Sequence, residues 1–108
     1  MEKAKTLKKI YYLSSTHWDR EWYRPFQGFR YRLVKVTNTV IDVLEKDPDF
    51  KTFIFDGQTV VLEDYTQIEP GKRERLKKLI AGNRIKVGPW YVMPDEFLVS
   101  GASLMQNL

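Results

Sequence analysis

An α/β fold built on parallel strands is what this sequence predicts, and three observations carry the prediction. Short apolar, β-rich runs alternate with stretches whose apolar residues recur every three or four positions. No strand run is joined to the next by a tight hairpin signal, so the connections are helical crossovers. The order along the chain is β, α, β, α, α, β, α, the alternation expected of a parallel sheet.

The elements follow in turn. After a polar lead, Met1 to Leu7, the run Lys8 to Ser14 (KKIYYLS) reads as a buried strand. Thr16 to Gln27 is dense in aromatics and charges, contains Pro25 and has neither period, so it reads as a loop closed by Gly28. From Phe29 the apolar residues fall at Leu33, Val36, Val40, Val43 and Leu44 and stop at Asp47-Pro48, which predicts one amphipathic helix. Lys51 to Asp56 (KTFIFD) is the second strand, ended by Gly57, and Val61, Tyr65 and Ile68 restore helical spacing. Pro70 and Gly82 bracket a basic helix, the first placed to start it and the second to end it. The first half of Arg84 to Tyr91 (RIKVGPWY) reads as a third strand. Ser100 stands before Gly101 to Leu108 like an N-cap, with Leu104 and Leu108 four apart.

Three parallel strands leave two open edges, whereas parallel sheets are almost always covered on both faces. The 108 residues are therefore expected to form one incomplete domain, with no repeat, low-complexity tract or linker dividing them.

Composition narrows the function classes. Apolar residues make up 43% of the chain, enough to drive burial and to exclude intrinsic disorder. There is no cysteine, so a metal site would need His and carboxylate ligands, and His17 is the single histidine. The net charge of +4 is accounted for by one helix: Lys72, Arg73, Arg75, Lys77 and Lys78, with Glu74 as its one acid. A surface that tracks phosphates draws basic residues from several elements, so this helix reads as a solvated face and no nucleic-acid partner is expected. The apolar run near the start, Ile10 to Leu13, is far shorter than a secretory core of about 7 to 15 residues or a span of about 20. A soluble cytoplasmic protein with no membrane partner is the expectation.

Chemistry on a parallel sheet gathers beyond the carboxyl ends of the strands. Three segments fall there: Ser14 to Tyr23, Asp56-Gly57-Gln58, and Gly88 to Phe97. His17 and Asp19 are two apart, so in extended backbone both leave the same side and Trp18 the other. Imidazole nitrogen and carboxylate oxygen suit zinc at about 2.0 to 2.2 Å, but a lone histidine at a strand end is ordinarily a structural residue. Asp95 from the third loop is a candidate third ligand. Asp56 either borders the site or caps the following helix at the Gln58 or Thr59 N–H groups, the cap being preferred. Arg20 and Glu21 either orient the ligand pair or lie on the surface.

Together these motifs resemble a family. His17-x-Asp19-x-x-Trp22, then Asp56-Gly57-Gln58 with Glu63-Asp64-Tyr65, then Gly88-Pro89-Trp90-Tyr91, Asp95-Glu96 and Ser100 to Leu108 are similar to the start of the zinc-dependent α-mannosidases, glycoside hydrolase family 38. The likeness is greatest to bacterial members, a group that includes mannosylglycerate hydrolases, and runs from about Ile10 to Leu108. The resemblance implies that the chain is the N-terminal portion of a seven-stranded, TIM-like α/β barrel, too short to close it, and that alone it would bind zinc weakly and catalyse nothing. It implies Zn2+ as cofactor, held by the counterparts of His17, Asp19 and Asp95. It implies Asp95 as catalytic nucleophile of a retaining mechanism on an α-mannoside, with Trp22 packing on the sugar. By residue type Tyr23, Trp90 and Phe97 offer further aromatic faces to a pyranose, with core or rim packing as the alternative. The remaining ligand and the acid/base carboxyl group would lie beyond residue 108, and a homo-oligomer of the full-length enzyme stays open. Relatives carry Ser-x-Glu-Ser-x-x-Arg-Asn-Leu where this chain has Ala102 and Gln106. That departure motivates a second reading, a relative that holds sugar without cleaving it. A third is a basic, aromatic RNA-binding module, disfavoured because the basic helix and the aromatic loop are separated by two elements.

Overall fold

The computed structural model describes residues 8–108, and the polar lead Met1–Leu7 lies outside them. Three short strands, β1 (Ser14–Thr16), β2 (Phe53–Phe55) and β3 (Ile85–Lys86), form one parallel sheet in the order β1-β2-β3. Ser14 is in register with Phe53, and Phe53 with Ile85. The crossovers are α1 (Phe26–Lys46) between β1 and β2, and α2 (Val60–Ile68) with α3 (Arg73–Ala81) between β2 and β3. A short α4 (Gly101–Gln106) follows the third loop.

Alternation along β2 places the core. Phe53 and Phe55 turn to the helices and are buried, while Ile54 leaves from the opposite face. Leu33, Val40, Ile41 and Leu44 of α1, Val60, Val61 and Tyr65 of α2, Leu76 and Leu79 of α3 and Ile85 of β3 complete one cluster. Each such side chain contributes about 1.5–3 kcal/mol by leaving water. Tyr65 is enclosed, and its hydroxyl donates to Asn38 Oδ1 at 2.8 Å; burial pushes it up to about 12.

The helix ends follow local chemistry. α1 begins three residues earlier than the apolar pattern places it, because Pro25 is already extended at the cap and its carbonyl accepts from Gly28 N–H at 2.8 Å. A 3-10 turn, Pro70–Lys72, leads into α3, and Gly82 ends it with N–H to Lys78 O at 2.9 Å. Ser100 caps α4 by accepting from Ser103 N–H at 3.1 Å. On the basic helix, Arg75 is committed to α1, with Nη2 to Asp42 at 2.8 Å and Nε to Glu45 at 3.0 Å.

One strand prediction needs correction. Lys8 to Leu13 is not a buried strand: only Ser14 of that run joins the sheet, and Ile10, Tyr11, Tyr12 and Leu13 are all exposed. β1 is an edge strand with a neighbour only in β2, so residues ahead of it have no strand to pair with among the described residues. No described helix is long and apolar enough to cross a membrane.

Candidate active site at the carboxyl ends of the strands

The loops after all three strands meet over one cavity of about 760 Å³. His17, Trp18, Asp19, Arg20 and Glu21 line it from the first loop, Asp56 and Gln58 from the second, and Val92 to Phe97 from the third. This is the position that the direction of a parallel sheet gives to chemistry.

The second loop organises the first. Asp56 and Gly57 both have positive φ, 47° and 67°, and Gln58 N–H returns to Phe55 O at 3.1 Å. A β-carbon on Gly57 would stand 3.4 Å from Met93 Cε, besides the strain of that φ. The turn aims Asp56 back toward the first loop, where Oδ2 accepts from Trp18 N–H at 2.7 Å. Gln58, fully buried, donates from Nε2 to Trp18 O at 2.7 Å and to Asp56 Oδ2 at 3.3 Å, while its Oε1 accepts from Met93 N–H at 3.4 Å. One side chain thus ties all three loops.

Asp56 therefore is not the cap of α2. Thr59 occupies that position, the Gln58 N–H goes to Phe55, and the Thr59 N–H goes to Trp90 O at 2.9 Å. The left-handed turn at Asp56 rotates its carboxylate away from the helix start, and the capping expectation is overturned by that single dihedral.

His17 stands on this base. Its Nδ1 is 3.4 Å from Asp56 Oδ1, and its Nε2 is 3.9 Å from Asp19 Oδ1. The Asp56 side chain is 11% exposed and that of His17 is 78% exposed. Asp95 sits across the cavity on an exposed turn, with Leu98 N–H to Asp95 O at 2.9 Å.

Sequence reasoning expected His17, Asp19 and Asp95 to meet at one point. They share a cavity, but among the described residues no three His, Asp or Glu side chains are arranged as a metal-holding group. His17 is turned to Asp56, and Asp95 rides on a turn that no side-chain hydrogen bond fixes among the described residues. The donor chemistry nevertheless fits zinc: one imidazole and the carboxylates of Asp19, Asp56 and Asp95 face a common space.

The aromatic residues are placed differently from expectation. Trp22 and Tyr23 are not on the cavity lining. Tyr23 packs edge-on against Phe29 at 5.3 Å and its hydroxyl accepts from Arg32, while Trp22 leans on Tyr23 and is exposed. Their loop bends after Asp19, and α1 offers an apolar surface that competes with the cavity for these rings. Trp18 and Phe97 line the cavity instead.

Arg20 and Asp64 complete the base. Arg20 donates from Nε to Asp64 Oδ2 at 2.8 Å and from Nη2 to Oδ1 at 3.0 Å, and it lies over the Phe26 ring at 4.9 Å. The Asp64 side chain is 5% exposed, and its hydrogen bonds hold the guanidinium above its ordinary value. Arg20 thus anchors the first loop to α2, and among the described residues its side-chain hydrogen bonds go to Asp64 and not to His17 or Asp19. Asn107 pins the start of the third loop: its carbonyl accepts from Tyr91 N–H at 2.7 Å, and its side chain pairs with both backbone groups of Val92, at 2.8 and 2.6 Å. Tyr91 donates its hydroxyl to Glu63 at 2.6 Å, which raises its titration. Gln58, Asp64 and Asn107 were not identified from sequence as site-forming; only the Asp-Gly-Gln turn after a strand hinted at the first.

Comparison with known proteins agrees with this architecture. Residues 8–108 match the family described as "Glycosyl hydrolases family 38 N-terminal domain". A protein of Halalkalibacterium halodurans, provisionally named mannosylglycerate hydrolase, is 43% identical over 101 residues, covering 94% of this chain and 11% of that protein. The crystal structure of an alpha-mannosidase from Enterococcus faecalis V583 superposes with a TM-score of 0.84 at 43% identity, covering 88% of this chain and 11% of that one. A second Enterococcus faecalis structure, of a protein in glycosyl hydrolase family 38, gives 0.85 at 40% identity, covering 96% and 12%. The chain belongs to glycosyl hydrolase family 38, matching the description of its N-terminal domain over residues 8–108, and spans 11 to 12% of the length of these relatives.

Proposed function

We propose that this chain supplies the zinc-binding and nucleophilic half of the active site of a retaining α-mannosidase. The observation that carries the reading is the shared cavity: His17 and Asp19 on one wall and Asp95 on the other, at the carboxyl ends of three parallel strands. In this reading the strands are the first three of a TIM-like barrel, a fold that takes about 250 residues in all. The donor types and the family relationship support zinc as the cofactor and a terminal α-mannoside as the substrate.

His17, Asp19 and Asp95 are the residues that would hold the metal. Zinc, when bound, supplies a Lewis-acidic template for neighbouring sugar hydroxyls. The chemistry of bond cleavage rests on carboxyl groups. Asp95 attacks the anomeric carbon as the leaving oxygen departs, and forms a glycosyl ester that water then hydrolyses. A second carboxyl group about 5 to 5.5 Å away must protonate that oxygen and later activate the water. Trp18 and Phe97 offer apolar faces to the C–H side of a pyranose. Trp22 and Tyr23, off the lining, would serve only a substrate extending past the rim.

The test is turnover of an aryl α-mannoside by the intact protein with zinc. Release of the aryl alcohol that a chelator stops and that Asp95→Asn abolishes is the expected result. A catalytically dead relative, suggested by Ala102 and Gln106, would bind mannose and release nothing.

A further inference from the structure

His17 has one ring nitrogen beside a carboxylate that the rest of the fold holds still. Asp56 Oδ1 lies 3.4 Å from His17 Nδ1, just beyond the roughly 2.7–3.2 Å of an N–H···O hydrogen bond. The other oxygen of Asp56 is fixed twice, by Trp18 N–H at 2.7 Å and by Gln58 Nε2 at 3.3 Å. Gln58 is fixed in turn by Trp18 O and by its burial. This carboxylate is therefore a rigid, nearly buried acceptor, whereas the imidazole is 78% exposed and, among the described residues, has Asp19 as its one other ion-pair neighbour. A carboxylate on one nitrogen of an imidazole fixes both the ring orientation and the tautomer, and leaves the second nitrogen as the free donor.

We infer that Asp56 is a positioning residue for His17: it accepts from Nδ1–H and so presents a bare Nε2 on the Asp19 side of the cavity. The inference deepens the zinc reading above and rests on it for its purpose, but the pairing itself requires no metal. It gives Asp56 a role that the sequence assigned to helix capping, and it explains why the turn before α2 takes a left-handed, non-glycine residue. Gln58 acts one step further out, by keeping the acceptor in place.

His17 is the single histidine of this chain, so ring ¹⁵N signals of the 108-residue protein report one imidazole. At a pH where the ring is neutral, the expected spectrum has Nδ1 protonated and Nε2 bare. Asp56→Asn keeps the shape and an acceptor for Trp18 N–H but removes the charge, and should shift the tautomer toward the Nε2–H form. Zinc chloride titrated into the same sample should perturb Nε2 in preference to Nδ1, with affinity about 10-fold lower in Asp56→Asn. A wild-type ring protonated on Nε2 overturns the inference whether or not the variant folds, and so does a tautomer identical in wild type and folded variant. An Nδ1–H ring on which zinc acts at neither nitrogen supports the positioning role and counts against the zinc reading alone.

Discussion

The two walls of the cavity are built on different principles. The wall carrying His17 and Asp19 rests on buried polar groups: Asp56 and Gln58 hold the backbone of Trp18 from below, and the Arg20–Asp64 pair ties the loop to α2. The wall carrying Asp95 is held among the described residues near its start, where Asn107 grips Val92 and Gln58 accepts from Met93 N–H, and beyond it Asp95 to Val99 are exposed, Phe97 at 97%. A nearly buried base fixes direction, which suits a ligand that must point at one place. A wall held at one end leaves its carboxylate adjustable, which suits a group proposed to serve both metal and substrate.

Substitutions should sort accordingly. The largest loss of stability is expected for Arg20→Met, which strands the Asp64 carboxylate with its charge unpaired. Removing one partner of a fully buried pair costs about 3–5 kcal/mol, and since the Arg20 side chain is 35% exposed the expected figure is about 2 kcal/mol, read by urea unfolding. Gln58→Ala comes next, at about 1–2 kcal/mol, because a buried side chain that bonds two neighbouring loops is removed. If it proved neutral, the claim that the base is the stiff wall would fail.

On the other wall Asn107→Ala should cost only about 0.5–1 kcal/mol, since the two backbone groups of exposed Val92 can turn to water. Its signature is faster amide exchange at Val92, with Trp18 unchanged. The smallest effect lies away from both walls. Hydrogen bonds from Arg75 hold Asp42 and Glu45 below their ordinary values of 3.8 and 4.5. Their contribution is therefore present at neutral pH and is lost as pH falls through and below those values. Arg75→Met should remove that slope from thermal melts, lowering the neutral-pH midpoint slightly and leaving the midpoint at low pH unmoved.

Much of the fold was legible because strand and helix periods are local properties. The order of elements, the parallel pairing, the Pro70 and Gly82 limits and the Ser100 cap all follow from neighbours within a few residues. The first strand was not, because an apolar run such as Ile10 to Leu13 declares a need for cover without saying where cover lies. The site was half legible. His17, Asp19 and Asp95 stand out by residue type and loop position, and they do share a cavity. The supports do not stand out: Asp56 before a helix obeys the capping rule until its φ is known, and Gln58 is an ordinary polar residue until it is found buried between three loops. The Tyr23 ring was drawn to Phe29 of α1, with Trp22 leaning on it, a choice between two apolar surfaces that spacing does not reveal.

The central claim is that the fixed wall and the adjustable wall close on one dication. A crystal structure of the intact protein grown with zinc, with data collected at the zinc absorption edge, tests it most directly. One anomalous peak within coordination distance of His17 Nε2, Asp19 and Asp95 is the predicted result. A peak that misses Asp95, or one elsewhere on the molecule with this cavity empty of it, would contradict the account.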